Sequence, residues 1–200
     1  MKKSLLISLF CVTAFLTCHS QHFTNGLGIS ILHDETNYSG NNPYIGIAYT
    51  PGVTFLETRK YALSITAPLR VGYASTYFSQ NSNDTIVIDD WQSVIVQLPV
   101  LFNFAYGAGS SQKAPARFGF FGGVGYGVQL RYYHEVYQFN ETKSIGTSSP
   151  FSTGAAFSAG IRLAVGRTYR RKNIELGAGY LLGITGEDHN IISYHVLFNF

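Results

Sequence analysis

Ser75, Asp90, His134 and Glu135 are the residue types of an acyl-transfer centre, in which an imidazole oriented by a carboxylate activates a hydroxyl nucleophile. They are scattered along the chain with no local signature tying them together, and spacing alone supplies no triad geometry. His22, His33, His134, His189 and His195 show no paired spacing beside an acidic ligand, so neither a metal centre nor a cofactor is expected, and these side chains are assigned to loop tips. Gly119, Gly123, Gly125 and Gly127 could suggest a phosphate-cradling loop, but they keep a two-residue period with no helical pattern after them. Close packing of a sheet explains them better. Four further charges, Arg70, Arg131, Arg162 and Glu175, share one parity of alternating segments and are candidates for charges inside a closed sheet. Arg162 and Glu175 flank the basic turn at residues 166–172, so in a hairpin register centred there they face each other as a lumen ion pair; the alternative is two water-exposed charges near the rim, which would contribute little to stability. Arg70 and Arg131 have no assignable carboxylate partner at this level.

The elements that position these residues follow from an export pattern and from alternation. Lys2 and Lys3 precede an apolar run over residues 5–16, and Cys18-His19-Ser20 places small residues before Gln21, which marks residues 1–20 as a secretory signal peptide and residues 21–200 as one domain. The run is shorter than the ~20 residues of a membrane-spanning helix. Acylation of Cys18 would need a small-residue box that Phe15-Leu16-Thr17 does not provide. Cys11 and Cys18 both lie in the leader, so no disulfide is expected in the mature chain. Without Lys2 and Lys3, 12 basic residues face 11 acidic ones, which gives nucleic acid nothing to bind.

Charged residues are 12% of the chain and aromatics 15%, whereas soluble domains carry about a quarter charged residues. Alternation is pronounced. Over residues 117–133, Phe118, Phe120, Val124, Tyr126, Val128, Leu130 and Tyr132 share one face, and Gly119, Gly123, Gly125, Gly127, Gln129 and Arg131 the other. Residues 93–106, 157–165, 174–184, 61–73 and 192–200 behave alike, residues 44–55 alternate loosely, and residues 23–32 form a weaker first segment. Together these make eight candidate strands. Turns near residues 57–60, 107–116 and 166–172 are expected on the side of the termini, and longer loops over residues 33–42, 77–90, 135–150 and 186–190 on the other, as in outer-membrane barrels. Asp34, Asp84, Asp89, Asp90 and Asp188 fall in those loops, where solvation, lipopolysaccharide contact or weak divalent-ion binding is the expectation. Trp91, Tyr73, Tyr77, Tyr132 and Tyr133 are expected in an aromatic girdle at the membrane interface.

Exposing an Arg at the bilayer midplane costs ~2 to 4 kcal/mol, so the face carrying Arg70, Arg131 and Arg162 must point inward and the apolar face outward. The fold expected is therefore all-β, an eight-stranded antiparallel up-and-down transmembrane barrel.

The run Gln97-Leu98-Pro99 inside a long strand, then a glycine-broken turn and Phe118-Gly119-Phe120-Phe121-Gly122-Gly123-Val124-Gly125-Tyr126-Gly127, resembles the outer membrane protein beta-barrel domain family of the PorT-like type. The resemblance covers nearly all of residues 21–200 in layout. It implies an eight-stranded barrel in a Gram-negative outer membrane, not a particular task; the secretion-system association of PorT itself is not carried over. Tyr194, Phe198 and Phe200 are similar to the C-terminal assembly signal read by the barrel insertion machinery, although His195 stands where a small glycine is common.

The function expected is that of a small non-enzymatic outer-membrane barrel with a structural, surface-contact or secretion-accessory role. Its expected partners are outer-membrane lipid and lipopolysaccharide, the insertion machinery during assembly, and an unidentified protein at the outer loops. The alternatives are a lipid A deacylase or acyltransferase using His134, Glu135, Ser75 and Asp90, and a secreted lipocalin-like binder, which would turn its apolar residues inward.

Overall fold

The computed structural model describes residues 22–35, 43–82, 85–111, 114, 116–139, 142–166, 172–186 and 190–200. Residues 1–20, assigned to the leader, lie outside the described residues, as do Asp84, Asp188 and His189. The chain forms β1 His22–Asp34, β2 Tyr44–Glu57, β3 Tyr61–Thr66, β4 Leu69–Ser82, β5 Thr85–Gly107, β6 Phe118–Phe139, β7 Thr142–Ser148, β8 Phe151–Ala164, β9 Asn173–Gly186 and β10 Ile191–Asn199. These ten segments occupy a ring of eight strand positions. β3 and β4 both lie between β2 and β5 and form one position, broken where Pro68 lacks the N–H a ladder needs. There Ala67 N–H donates to the carbonyl of Pro51 at 2.9 Å. β7 and β8 both pair with β6 and form a second broken position, interrupted before Pro150. All pairings are antiparallel, and β1 pairs with β10 to close the ring as an up-and-down barrel.

The two-residue period sorts the side chains by face. Outward stand Ile29, Ile47, Val100, Phe102, Phe120, Val124, Phe157, Leu176, Val196 and their like, all exposed. Inward stand Ser30, Arg70, Ser93, Gln97, Asn103, Gln129, Arg131, Glu175 and His195, all buried. A lipocalin-like cup is the inverse of this arrangement. Six of the apolar residues that face inward, Leu32, Tyr44, Ile95, Leu101, Leu181 and Ile191, gather into one buried cluster that fills part of the lumen. Eight strands enclose a width that side chains can fill.

Two expected outer loops are strand. β5 runs 23 residues and β6 runs 22, whereas a tilted membrane strand needs about 9–11. β4 pairs with β2 only as far as Tyr73, and its remainder to Ser82 pairs with β5 alone. The ladder from Val87↔Phe139 to Gln92↔His134 and the pairing of β7 with β6 continue the same sheet. Residues 74–82, 85–93, 133–139 and 142–148 thus form a four-stranded sheet whose strands continue roughly 24–30 Å past the ring, at ~3.4 Å per residue. Asp89 and Asp90 therefore belong to β5 and Glu135 to β6, not to loops. A two-residue period does not register there, because Ile86-Val87-Ile88 and Asp89-Asp90 place like residues in succession.

Four of the five histidines assigned to loop tips, His22, His33, His134 and His195, lie on strands instead. Trp91 is also reassigned: its ring packs edge-on against Tyr44, 6.2 Å between centroids, beside the lumen cluster rather than in a girdle. Tyr133 has the inward parity of β6, whereas Tyr73 and Tyr132 are outward and exposed.

Candidate functional site

The buried charges converge on Glu175. β8 and β9 form a hairpin in which Arg162 and Glu175 are direct cross-strand partners, and their parity turns both into the lumen. Arg162 Nε donates to Glu175 Oε2 at 2.7 Å, and Asn199 Nδ2, from β10, donates to the same oxygen at 3.0 Å. The imidazole of His195 reaches the other oxygen, with Nε2 3.3 Å from Oε1. Since an ionised carboxylate only accepts, His195 is the donor in that contact.

The local sequence explains how His195 gets there. It pairs with Gly177, and a Cβ at Gly177 would collide with the His195 ring and with Phe121. The absent side chain is the space through which the imidazole crosses to the carboxylate. Phe121 in turn lies under the Arg162 guanidinium, whose central carbon is 4.8 Å from the ring centroid, a cation–π contact inside the lumen.

Arg70 is held separately. It faces Gln97 across β4 and β5, and its Nη1 donates to Gln97 Oε1 at 3.0 Å. Asn103, three positions toward the near end on the same face as Gln97, donates to Thr66 Oγ1 at 2.7 Å. A cavity of about 130 Å³ lies at the end of the ring where β1 begins and β10 ends, lined among others by Thr50, Ser64, Arg162, Asn173, Glu175 and Asn199.

At the other end of the lumen Arg131 has a carboxylate after all: it forms an ion pair with Asp34, both side chains almost fully buried. The sequence reading left Arg131 without a partner because it placed Asp34 in a loop. Asp34 is the last residue of β1 and shares the inward parity of Ser30 and Leu32. Extending the β1 alternation by two residues is the signal that was available. His195 and Gln97 carried no signal beyond inward parity, because their roles depend on register.

The acyl-transfer candidates are not brought together. Ser75 is outward and exposed, Gln92 stands opposite it, and His134 stands opposite Gln92. That register sets Ser75 and His134 two strand spacings apart, ~10 Å, whereas a nucleophile and its base need ~3 Å. The side chains of Asp90 and Glu135 lie outside the described residues. Among the described residues no group of three or more His, Asp, Glu or Cys is placed to hold a metal ion. The lumen cluster offers no free base either, since both oxygens of Glu175 are occupied by donors. Chemically it is a charge-neutralising plug that locks β8, β9 and β10 to one another. Tyr194, Phe198 and Phe200 are exposed on the outward face of the ring.

No family model matches the chain, and no curated protein matches it by sequence. Among solved structures, the attachment invasion locus protein Ail of Yersinia pestis, in complex with the heparin analogue sucrose octasulfate, is 12% identical, with 90% of this chain and 98% of that one covered and a TM-score of 0.49. Neisserial surface protein A is 9% identical, covering 90% and 98%, with a TM-score of 0.45. The outer membrane protein OprG of Pseudomonas aeruginosa is 13% identical, covering 89% and 95%, with a TM-score of 0.43.

Proposed function

We propose that this chain is a small non-enzymatic barrel of the bacterial outer membrane whose four-stranded extension acts as a contact surface outside the cell. The observation that carries this reading is the mismatch between wall and membrane: the ring is closed, apolar outside and plugged inside, yet β5 and β6 run about twice the length a bilayer requires. A barrel whose task was to pass solutes would have no use for a filled lumen. Membrane-exposed β-structure must also be edgeless, which the β1–β10 pairing provides. The extension is different. Among the described residues its outer strands, residues 74–82 and 142–148, each pair on one side only, so they offer ladder groups to a partner strand. A secretion-accessory role would use the same surface.

Residues 22–200 contain no cysteine, so single-cysteine variants report sidedness cleanly. Ser144→Cys, exposed on β7, is expected to react in intact cells with a maleimide that cannot cross the membrane, and Lys60→Cys only after permeabilisation. Equal protection of both, or the reverse pattern, rules the reading out. Channel recordings of the reconstituted protein should show no large steady conductance. Lipid A acyl chains should be unchanged by Ser75→Ala or His134→Ala.

A further inference from the structure

At the end of the ring where β1 begins, exposed cations follow the rim from strand to strand. Arg59 and Lys60 sit in the turn before β3, Arg117 immediately precedes β6, and Lys172 immediately precedes β9. Backbone hydrogen bonds stitch these positions into one arc. Gly107 N–H, at the end of β5, donates to the carbonyl of Lys60 at 2.8 Å. Ala164 N–H, at the end of β8, donates to Arg117 at 2.9 Å, and Val165 N–H donates to Lys172 at 2.9 Å. All four side chains are exposed, and none has an ion-pair partner among the described residues. Glu57, a carboxylate of the same rim, is held by His22 at 3.0 Å, and Glu175 is turned into the lumen and paired.

A second observation places the arc relative to lipid. Directly beside it on the outward face lie two stacked aromatic pairs, Tyr61 with Phe104 (6.2 Å between centroids) and Tyr106 with Phe120 (5.3 Å). Phe118 and Leu163 extend that apolar belt. Aromatic rings mark the boundary between hydrocarbon and headgroups, and long cationic side chains just past such a boundary reach the headgroup phosphates. Lys60 adjoins Tyr61 in sequence and Arg117 adjoins Phe118, so these two cations stand one residue beyond a ring that sets the depth.

We infer that Arg59, Lys60, Arg117 and Lys172 form a docking surface for the phosphate diesters of anionic phospholipids in the leaflet on the side where β1 begins. This rests on the membrane reading above, and the test separates the two. The full chain is reconstituted in vesicles of phosphatidylcholine alone and of phosphatidylcholine with phosphatidylglycerol at 7:3. After gentle detergent release, native mass spectrometry counts the lipids of each class that stay bound. Preferential retention of phosphatidylglycerol is expected, weakened by salt and undisturbed by millimolar inorganic phosphate. The variant Arg59→Gln/Lys60→Gln/Arg117→Gln/Lys172→Gln should lose the preference, by roughly fivefold per cation removed. The charge-keeping set Arg59→Lys/Lys60→Arg/Arg117→Lys/Lys172→Arg should retain it, which controls for folding. If the quadruple glutamine variant does not insert, Lys60→Gln/Lys172→Gln carries the same comparison. Equal retention of the two lipids by the wild type, a preference the glutamine variants keep, or displacement by free phosphate overturns the inference. Failure of the wild type to insert into either vesicle would overturn the membrane reading itself.

Discussion

His195 and Arg162 approach Glu175 from opposite sides, one on each carboxylate oxygen, so a single buried acid ties three neighbouring strands of the wall together. A carboxylate so placed stabilises the barrel less through any one contact than by compensating the largely buried guanidinium of Arg162. Removing one member of a buried pair leaves the other charge uncompensated, whereas replacing both by apolar groups of similar volume is often neutral.

Glu175→Gln is therefore expected to destabilise the barrel by about 3–5 kcal/mol. Arg162→Met/Glu175→Leu should recover most of that loss. Urea unfolding in lipid vesicles, followed by the fluorescence of Trp91, measures both. Equal destabilisation by the single and double variants would show that the hydrogen bonds from Asn199 and His195 matter more than the charge balance.

Gly177→Ala tests the passage of the imidazole. Its methyl would occupy the volume of the His195 ring, so the expected result is displacement of His195 from Glu175 and a loss of about 1–3 kcal/mol from overpacking. Adding His195→Ser should relieve the clash and restore part of the stability. If Gly177→Ala is no less stable than the wild type, the strand separation at that level is more pliable than the register implies.

The Arg131–Asp34 pair should behave independently of the Glu175 cluster, because the two groups sit at opposite ends of the lumen on separate strands. Asp34→Asn is expected to cost about 3–5 kcal/mol. Combined with Glu175→Gln, the losses should add to within about 0.5 kcal/mol. Strong non-additivity would reveal a coupled polar column running the length of the barrel.

Much of the wall was legible from residue types alone. Arg70, Arg131, Arg162 and Glu175 share a parity, and a guanidinium in lipid costs enough that their inward orientation follows without coordinates. The Arg162 and Glu175 facing was also accessible, since a hairpin about a short turn leaves little freedom of register. Asp34 and Trp91 were misplaced for a common reason. Asp34 is the last residue of β1 and Trp91 stands where β5 leaves the ring for the four-stranded extension, and at such ends the alternating run is too short to reveal a strand. The two proline breaks are hidden as well: Pro68 stands inside the alternating segment 61–73 and Pro150 closes the expected loop 135–150, and only the shared neighbours of β3 with β4 and of β7 with β8 show that each pair occupies one broken strand position.

The β1–β10 pairing has a kinetic consequence. Every other seam in the wall joins strand positions consecutive in the chain, but this one joins Gly26 to Asn199 and Asp34 to Ile191, and the β1–β10 pairing spans the widest sequence separation among the strand pairings of the described residues. Such contacts form late, because loop-closure entropy must be met before they reward it. Hairpins can assemble early and locally, while the nascent cylinder remains an open ribbon with two sticky margins until its first and last strands find each other. Substitutions in β1 or β10 should accordingly slow maturation and invite aggregation, in excess of their effect on the stability of the finished barrel.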